Sequence, residues 1–281
     1  MQNPFSSLGA RAWRRGLFLA LFLAPFGPAA LAADCGRDAS GFSGWLDRFK
    51  TYAASQGVSQ RTLNSALAGV SYDRRTIRLD RGQRSFKLSF KQFYARRVSG
   101  GMIARGRRLM KQHGATLARI EQRFGVPAPI IIAIWGLETG FGRDSGNFYI
   151  VRSLATLAYD CRRSDFFRKE LLAALKIIER GDMTPKQLRG GWAGEIGQTQ
   201  FLATSYYSYA VDFDGNGRRD LVRSVPDLLA STANYLKAKG WQRGQGWGQG
   251  TANYGVIREW NRASVYVQTI AVMADKLAGK S

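Results

Sequence analysis

Ile130 to Gly142 reads IIIAIWGLETGFG, and apart from Glu138 its residues are apolar or small on every face of a helix. A helix with no polar face has to be buried. Pro127 and Pro129 suit its first turn, where a missing N–H costs little, and Gly140 and Gly142 supply the stop. Glu138 is thereby left in the last turn of a core helix, near the partly negative end of the helix dipole. Desolvation and the dipole both disfavour the carboxylate. The pKa is therefore expected above the ordinary glutamate range, where the acid still donates a proton at neutral pH. On this segment alone, the competing reading is an ordinary helix-end acid that reaches solvent or an arginine.

The 281 residues hold one large or two small domains and carry a formal charge of +22. Removing the three arginines of the first 32 residues, Arg11, Arg14 and Arg15, leaves +19. Such a surplus points to a polyanionic partner: nucleic acid, an anionic membrane surface or an acidic wall polymer. The leader discriminates among these. Arginines precede the apolar run Leu17–Leu23, and Ala30-Leu31-Ala32 forms a small-x-small cleavage site, so residues 1–32 read as a secretory signal peptide. The run is too short, and too broken by Pro25 and Pro28, for a membrane span, and Cys35 lacks the surroundings of a lipoprotein anchor. The expected location is the periplasm. There, Cys35 and Cys161 are expected to form a disulfide, the alternative being two free thiols.

Short amphipathic helices are expected over residues 41–125, with apolar stripes at Trp45, Phe49 and Tyr52, at Leu63 and Leu67, and at Phe86, Phe90 and Phe93. Arg96, Arg97, Arg105, Arg107 and Arg108 would lie on a solvated basic face. Helical periodicity resumes at 153–158 and 166–178, stops at Gly181 and is expected to restart at Thr184-Pro185. Further helices are expected from Ser224 to Gly240 and from Ser264 to Leu277. No sustained strand alternation is present, so the fold class is mainly α. Gly244 to Gly250, GQGWGQG, lacks the strand and the Lys-Ser/Thr of a phosphate loop and reads as a loop carrying Trp247.

The chemistry narrows by elimination. The single histidine, His113, and the absence of HExxH and GxSxG argue against a zinc hydrolase and a histidine-based nucleophilic triad. Carboxylate chemistry remains. Glycoside cleavage ordinarily uses two acids, and Asp144, Asp160 and Glu195 are candidates for a partner to Glu138, with nothing in the spacing to choose among them. The segment 190–207, GGWAGEIGQTQFLATSYY, combines Gly and Trp with Gln198, Gln200, Tyr206 and Tyr207, a mixture found in sugar clefts and also in packed turns.

Asp212, Asp214 and Asn216 stand at first, third and fifth positions of an EF-hand-like calcium loop, with Gly217 at the sixth and the Arg218 carbonyl at the seventh. The twelfth position is Arg223, not the usual glutamate. Asp227 would close the shell, or Asp220 would substitute. A plain Asx-rich turn and a Ser224-x-x-Asp227 capping box are the bland alternatives.

Taken in order, AIWGLETGFG, LATLAYDCRRSDFF, GGWAGEIGQTQF, YAVDFDGNGRRDL and STANYLKAKGW resemble the lytic murein transglycosylase B family over about residue 40 to the C-terminus. The resemblance implies a lysozyme-like, mostly helical catalytic region over 33–281, with a flanking part at about 40–118 and a core at about 119–281. It implies cleavage of the β-1,4 bond between N-acetylmuramic acid and N-acetylglucosamine in peptidoglycan, leaving 1,6-anhydromuramoyl ends. One glutamate, matching Glu138, would act as acid and then as base, which removes the need for a second acid. Arg162 and Arg163 match the family's paired cleft arginines, Gln200 and Phe201 its glutamine and aromatic beside the acid, and Tyr235 its tyrosine after the calcium loop.

Asn261 and Tyr266 also carry over, whereas Trp260 replaces a tyrosine and puts a hydroxyl contact in doubt. Gly191 stands where a serine often occurs, and Ala203 where proline is common. Asp227 matches a late calcium ligand, so the implied metal set is Asp212, Asp214, Asn216, Arg218 and Asp227, with calcium structural and no cofactor for catalysis. The expected partners are peptidoglycan glycan strands and, secondarily, other cell-wall enzymes, with no nucleic acid. A water-using muramidase of the same fold and an inactive peptidoglycan-binding scaffold are the alternatives.

Overall fold

Thirteen helices and one two-stranded ribbon make up the described residues of the computed structural model, 35–83 and 88–280. In order they are α1 (Phe42–Ser55), α2 (Gln60–Leu67), α3 (Arg74–Gly82), α4 (Phe90–Arg97), α5 (Gly100–Gln112), α6 (Gly114–Phe124), α7 (Ala128–Thr139), β1 (Phe148–Tyr149), α8 (Ile150–Tyr159), α9 (Ser164–Glu179), β2 (Arg189–Gly190), α10 (Ala203–Tyr209), α11 (Val225–Ala238), α12 (Ala252–Trp260) and α13 (Ser264–Leu277). The leader read in residues 1–32 and Phe86 lie outside the described residues.

The all-round apolar segment is α7. Pro127 is its N-cap, Pro129 lies in the first turn, and Gly140 ends it in the left-handed conformation, φ 58°. Every residue from Ile130 to Leu137 is buried. Each isoleucine placed there contributes about 2 kcal/mol of hydrophobic stabilisation. Helices α5, α6, α11 and α13 surround α7, which is how a helix without a polar face is accommodated. Close packing sets the residue at Gly136, where an added Cβ would stand 2.8 Å from Met273 and 2.9 Å from Phe141.

The N-terminal helices α1, α2 and α3 pack on α8, and α2 also packs on α9. Trp45, Phe49, Leu63 and Leu67 are buried there as their spacing predicts. Cys35 and Cys161 are joined, with Cα atoms 4.9 Å apart, which fastens the segment before α1 to the turn between α8 and α9. Helices α4 and α5 pack on α13, and α5 also touches α7, so the flanking helices contribute to the wall of the core. No helix of the described residues is long and apolar enough to cross a membrane.

One expectation needs correcting. Thr184-Pro185 starts no helix: Gln187 Oε1 accepts from the Thr184 amide and hydroxyl, both at 3.0 Å, which closes a turn that runs straight into β2. Helices α10 and α12 were not read, being short and patterned by the neighbours they pack on. The basic face is exposed at Arg96, Arg97, Arg107 and Arg108, as expected, and Arg97, Arg105 and Arg107 also cap the carbonyls of Leu137, Phe141 and Lys276. Those carbonyls lie at or near helix C-termini, where guanidinium donors complement the dipole.

Candidate active site

The loop that faces Glu138 is held by very short β pairing. β1 and β2 are antiparallel, with Phe148 opposite Gly190 and Tyr149 opposite Arg189. Gly190 and Phe201 each bridge to Ile196 in turn. The chain folds back so tightly that a Cβ on Gly190 would lie 1.9 Å from the Glu195 carbonyl, so only glycine fits. Gln198 then ties this loop to α7. Its Oε1 accepts from Trp135 Nε1 at 3.0 Å, its Nε2 donates to Val222 O at 2.8 Å, and its carbonyl accepts from the Thr139 hydroxyl at 2.6 Å. Gln198 is therefore a brace and not a sugar contact. Tyr206, another polar residue of that stretch, is fully buried and donates to Arg219 O.

Glu138 occupies the last turn of α7 and opens onto a cavity of about 350 Å³ shared with Glu195, Gln200, Phe201, Tyr235 and Asn261. Two donors converge on one oxygen of its carboxyl: Trp260 Nε1 and the Tyr266 hydroxyl each reach Oε1 at 2.8 Å. Burial is the dominant influence and pushes its pKa up. The Trp260 and Tyr266 hydrogen bonds and the charge of Arg97 pull it back in part, while the charge of Glu195 pushes it further up. With Oε1 engaged as an acceptor, Oε2 is the atom left to carry the proton. The Tyr266 phenol is raised well above its ordinary value by the same burial and by Glu138, so it stays a donor.

The aromatic wall is a set of edge-to-face contacts. Trp260 meets Phe201 at 5.2 Å and Tyr235 at 5.1 Å, and Phe201 meets Tyr235 at 6.0 Å. Tyr235 donates to Glu259 O at 2.6 Å, and burial first, then Glu259, pushes its pKa up to about 12. Gln200 has a left-handed backbone, φ 53°, which costs a non-glycine residue about 1 kcal/mol. Its Nε2 donates to Ser145 O at 3.2 Å and Gly197 O at 2.9 Å, which leaves its Oε1 turned toward Gly191. Asn261 accepts from the Ala263 amide at 3.0 Å and contributes to the cavity wall.

Glu138, Gln200, Phe201, Tyr235, Asn261 and Tyr266 are thus brought together. Arg162 and Arg163 are not among the cavity-lining residues. Both donate to the buried carboxylate of Asp80, Arg162 at 2.6 Å, and Arg163 stacks over Phe167 at 4.8 Å. Asp160 pairs with Arg81 at 2.7 Å and is structural, and Asp144 is exposed. Glu195 is the one of the three candidate acids that shares the cavity. Its position depends on a fold-back that no linear spacing reveals.

Asp212, Asp214 and Asp227 bring carboxylate oxygens within 4.8 Å of one another. Asp227 is fully buried and accepts from the amides of Phe213 at 2.8 Å and Asp220 at 2.9 Å. Asp220 turns away, engaged by Arg223 Nε at 2.8 Å, so Asp227 is the late acid of the cluster. Ser224 caps α11 through the Asp227 amide at 3.3 Å, but the Asp227 carboxylate faces the loop and does not complete a capping box. Asn216 Oδ1 accepts from the Arg218 amide at 2.9 Å. An all-oxygen set with three negative charges fits a hard divalent cation such as calcium.

A helical domain with a deeply packed acid facing an aromatic-walled cavity is a lysozyme-like architecture. The chain belongs to the transglycosylase SLT domain family, whose model matches residues 41–251. Over 134 residues it is 42% identical to the membrane-bound lytic murein transglycosylase B of Escherichia coli K12, a match covering 47% of this chain and 37% of that relative's length. Crystalline SltB3 of Pseudomonas aeruginosa in complex with NAG-anhNAM-pentapeptide superposes with a TM-score of 0.80 at 32% identity, over 85% of this chain and 80% of that one. The E. coli transglycosylase Slt35 in complex with calcium shares the fold at a TM-score of 0.74 and 24% identity, over 90% and 98% of the two chains.

Removing either donor to Glu138 should raise its pKa further, since both favour the ionised form. In Trp260→Phe and Tyr266→Phe the carboxyl titration of Glu138, followed by ¹³C NMR, should move to higher pH than in the wild type. An unchanged or lowered midpoint would mean that these contacts do not stabilise the carboxylate.

Proposed function

We propose that this protein is an exported lytic transglycosylase that cleaves the β-1,4 bond between N-acetylmuramic acid and N-acetylglucosamine in peptidoglycan, with Glu138 acting first as acid and then as base. The observation that carries the reading is the buried carboxyl of Glu138, held through Oε1 by Trp260 and Tyr266 at the head of the cavity. Glu138 gives its Oε2 proton to the glycosidic oxygen as the C1–O bond breaks and the electron pair leaves with that oxygen. The substrate's 2-acetamido oxygen steadies C1. The Glu138 carboxylate then takes the proton of the C6 hydroxyl as O6 bonds to C1, so the acid is regenerated and no water is consumed. The aromatic faces of Phe201, Tyr235 and Trp260 suit the apolar faces of sugar rings.

Support comes from the murein-directed E. coli relative and from SltB3, solved with NAG-anhNAM-pentapeptide and NAG-NAM-pentapeptide. The formal charge of +22 suits an anionic wall polymer. Action on the wall places the protein in the periplasm, in keeping with the leader and the disulfide. Arg162 and Arg163, each still more than a third exposed, are positioned by Asp80 to meet lactyl or peptide carboxylates beyond the cavity. Asp212, Asp214 and Asp227, with Asn216 and the Arg218 carbonyl, would hold a structural calcium ion. Other wall enzymes remain candidate partners. A second reading, hydrolysis with Glu195 activating water, is favoured by the second acid in the same cavity.

Digestion of purified sacculi by wild type and Glu138→Gln, with product ends read by mass spectrometry, tests the assignment. Anhydro ends from the wild type and a loss of at least about 100-fold in the variant are expected. Ends carrying added water would instead establish hydrolysis, and binding without products would leave a scaffold. For the metal site, calcium should raise the melting temperature of the wild type but not of Asp227→Asn. The stabilisation would be about 2.7 kcal/mol at a calcium concentration about 100 times Kd. A melt indifferent to both calcium and chelator would remove the metal.

A further inference from the structure

The cavity beside Glu138 holds three acids, Glu138, Glu195 and Glu259, and no cation among its lining residues, in a chain whose formal charge is +22. Glu259 is exposed at the rim and lends its backbone carbonyl to Tyr235. Glu195 is different. It sits in the folded-back loop, and the place of its carboxylate is made by the residue opposite. A Cβ on Gly191 would stand 2.3 Å from Glu195 Oε2 and 3.1 Å from Gln200 Oε1. Two acceptors therefore converge where a side chain at 191 would otherwise be, and Gln200 has committed its amide hydrogens elsewhere. The Ala193 amide reaches Glu195 Oε2 at 3.2 Å, and the two acceptors together suit a further donor from outside the protein.

We propose that Glu195 is a second catalytic carboxylate of this site: standing in the space Gly191 leaves empty, it works ionised, accepts an N–H or O–H of the sugar at the cleavage point and keeps the proton on Glu138. The proposal rests on the glycan-cleaving function proposed for the site. The two acids are placed asymmetrically. Glu138 ends α7, at the negative end of the dipole, and receives no backbone N–H. Glu195 accepts from the Ala193 amide at 3.2 Å and feels the charge of Arg163 at the start of α9. Burial pushes both upward, and the charge of Glu195 pushes Glu138 up further, so an ionised Glu195 favours the proton on Glu138.

The charged and titratable groups around the pair are Arg96 and Arg97 on α4, Arg143 and Asp144 just after α7, Tyr266 on α13, Glu259 on α12, Tyr235 on α11 and Arg163. None of them would be altered by a change at 191 or 195. As the glycosidic bond breaks, positive charge develops at C1 and on the acetamido group, and a fixed carboxylate in the same cavity is suited to stabilise it.

Sacculus digestion by the wild type, Glu195→Gln, Gly191→Ala and the double variant, across pH, tests this. Glu195→Gln should lower kcat by about tenfold to 100-fold, since a charge that acts in the transition state is removed. Its alkaline limb should move to lower pH by about one pH unit, because Glu138 loses the neighbouring charge that opposes its ionisation. Gly191 does not have a left-handed backbone, so alanine fits its conformation, where it displaces the end of the Glu195 side chain and presses more lightly on Gln200 Oε1. Gly191→Ala should therefore reproduce both effects at a melting temperature close to wild type, and the double variant should add nothing further. If the wild type cleaves and both single variants keep its kcat and its alkaline limb, Glu195 has no such role. A wild type that releases no fragments overturns the glycan-cleaving reading and this proposal with it.

Discussion

One carboxyl group, largely withdrawn from water at the end of a helix that has no polar face, is the constraint on which the rest of this structure depends. Helix α7 is buried from Ile130 to Leu137, so its last turn cannot swing toward solvent to relieve Glu138. The surrounding helices leave Glu138 facing the aromatic-walled cavity on one side and a second cavity beside Arg96, Arg97 and Arg143 on the other. An isolated buried carboxylate would be costly, so burial shifts the group toward its protonated form, and two donors satisfy one oxygen. The same arrangement that makes the acid tolerable leaves its other oxygen available for proton transfer.

The opposing wall is built differently. Backbone hydrogen bonds such as Gly191 N to Glu195 O and Ile196 N to Phe201 O fold the 190–201 loop back on itself, which requires the close approach that only glycine permits at Gly190 and the left-handed backbone of Gln200. Gln198 couples this wall to α7 through Trp135 and Thr139, so the two sides of the cavity are fixed relative to each other by a single side chain and its carbonyl. The calcium-type loop lies on the other side of the same brace, since Gln198 also bonds Val222 O just before α11. The segment between the acidic loop and α11 is therefore joined to the cavity wall through that hydrogen bond.

Much of this was legible in the sequence where the signal is local. The apolar run with its prolines and glycines located α7 and the position of Glu138 on it, and the spacing Asp212, Asp214, Asn216, Gly217 located a loop that does gather carboxylates. Helix α13 begins and ends where its periodicity does. Non-local features were harder. Helices α10 and α12 are only seven and nine residues long, and their burial depends on neighbours distant in the chain. Trp260 was doubted because it lacks a hydroxyl, yet an indole N–H serves as well when only a donor is required. Glu195 was one of three undistinguished acids until the fold-back put it beside Gly191. Arg162 and Arg163 were read as a pair without their anchor, because Asp80 lies 82 and 83 residues away in sequence.

The central claim is that Glu138 is buried and prefers its proton in the folded state. A carboxyl whose folded pKa exceeds its unfolded value leaves stability intact below the unfolded pKa and removes it as pH rises through the folded pKa. Melting temperatures of the wild type and Glu138→Gln, measured side by side across pH, read this directly. Glutamine should melt higher at alkaline pH, with the advantage shrinking away as pH falls below the ordinary glutamate range. A variant that melts no higher than the wild type at any pH would contradict the account.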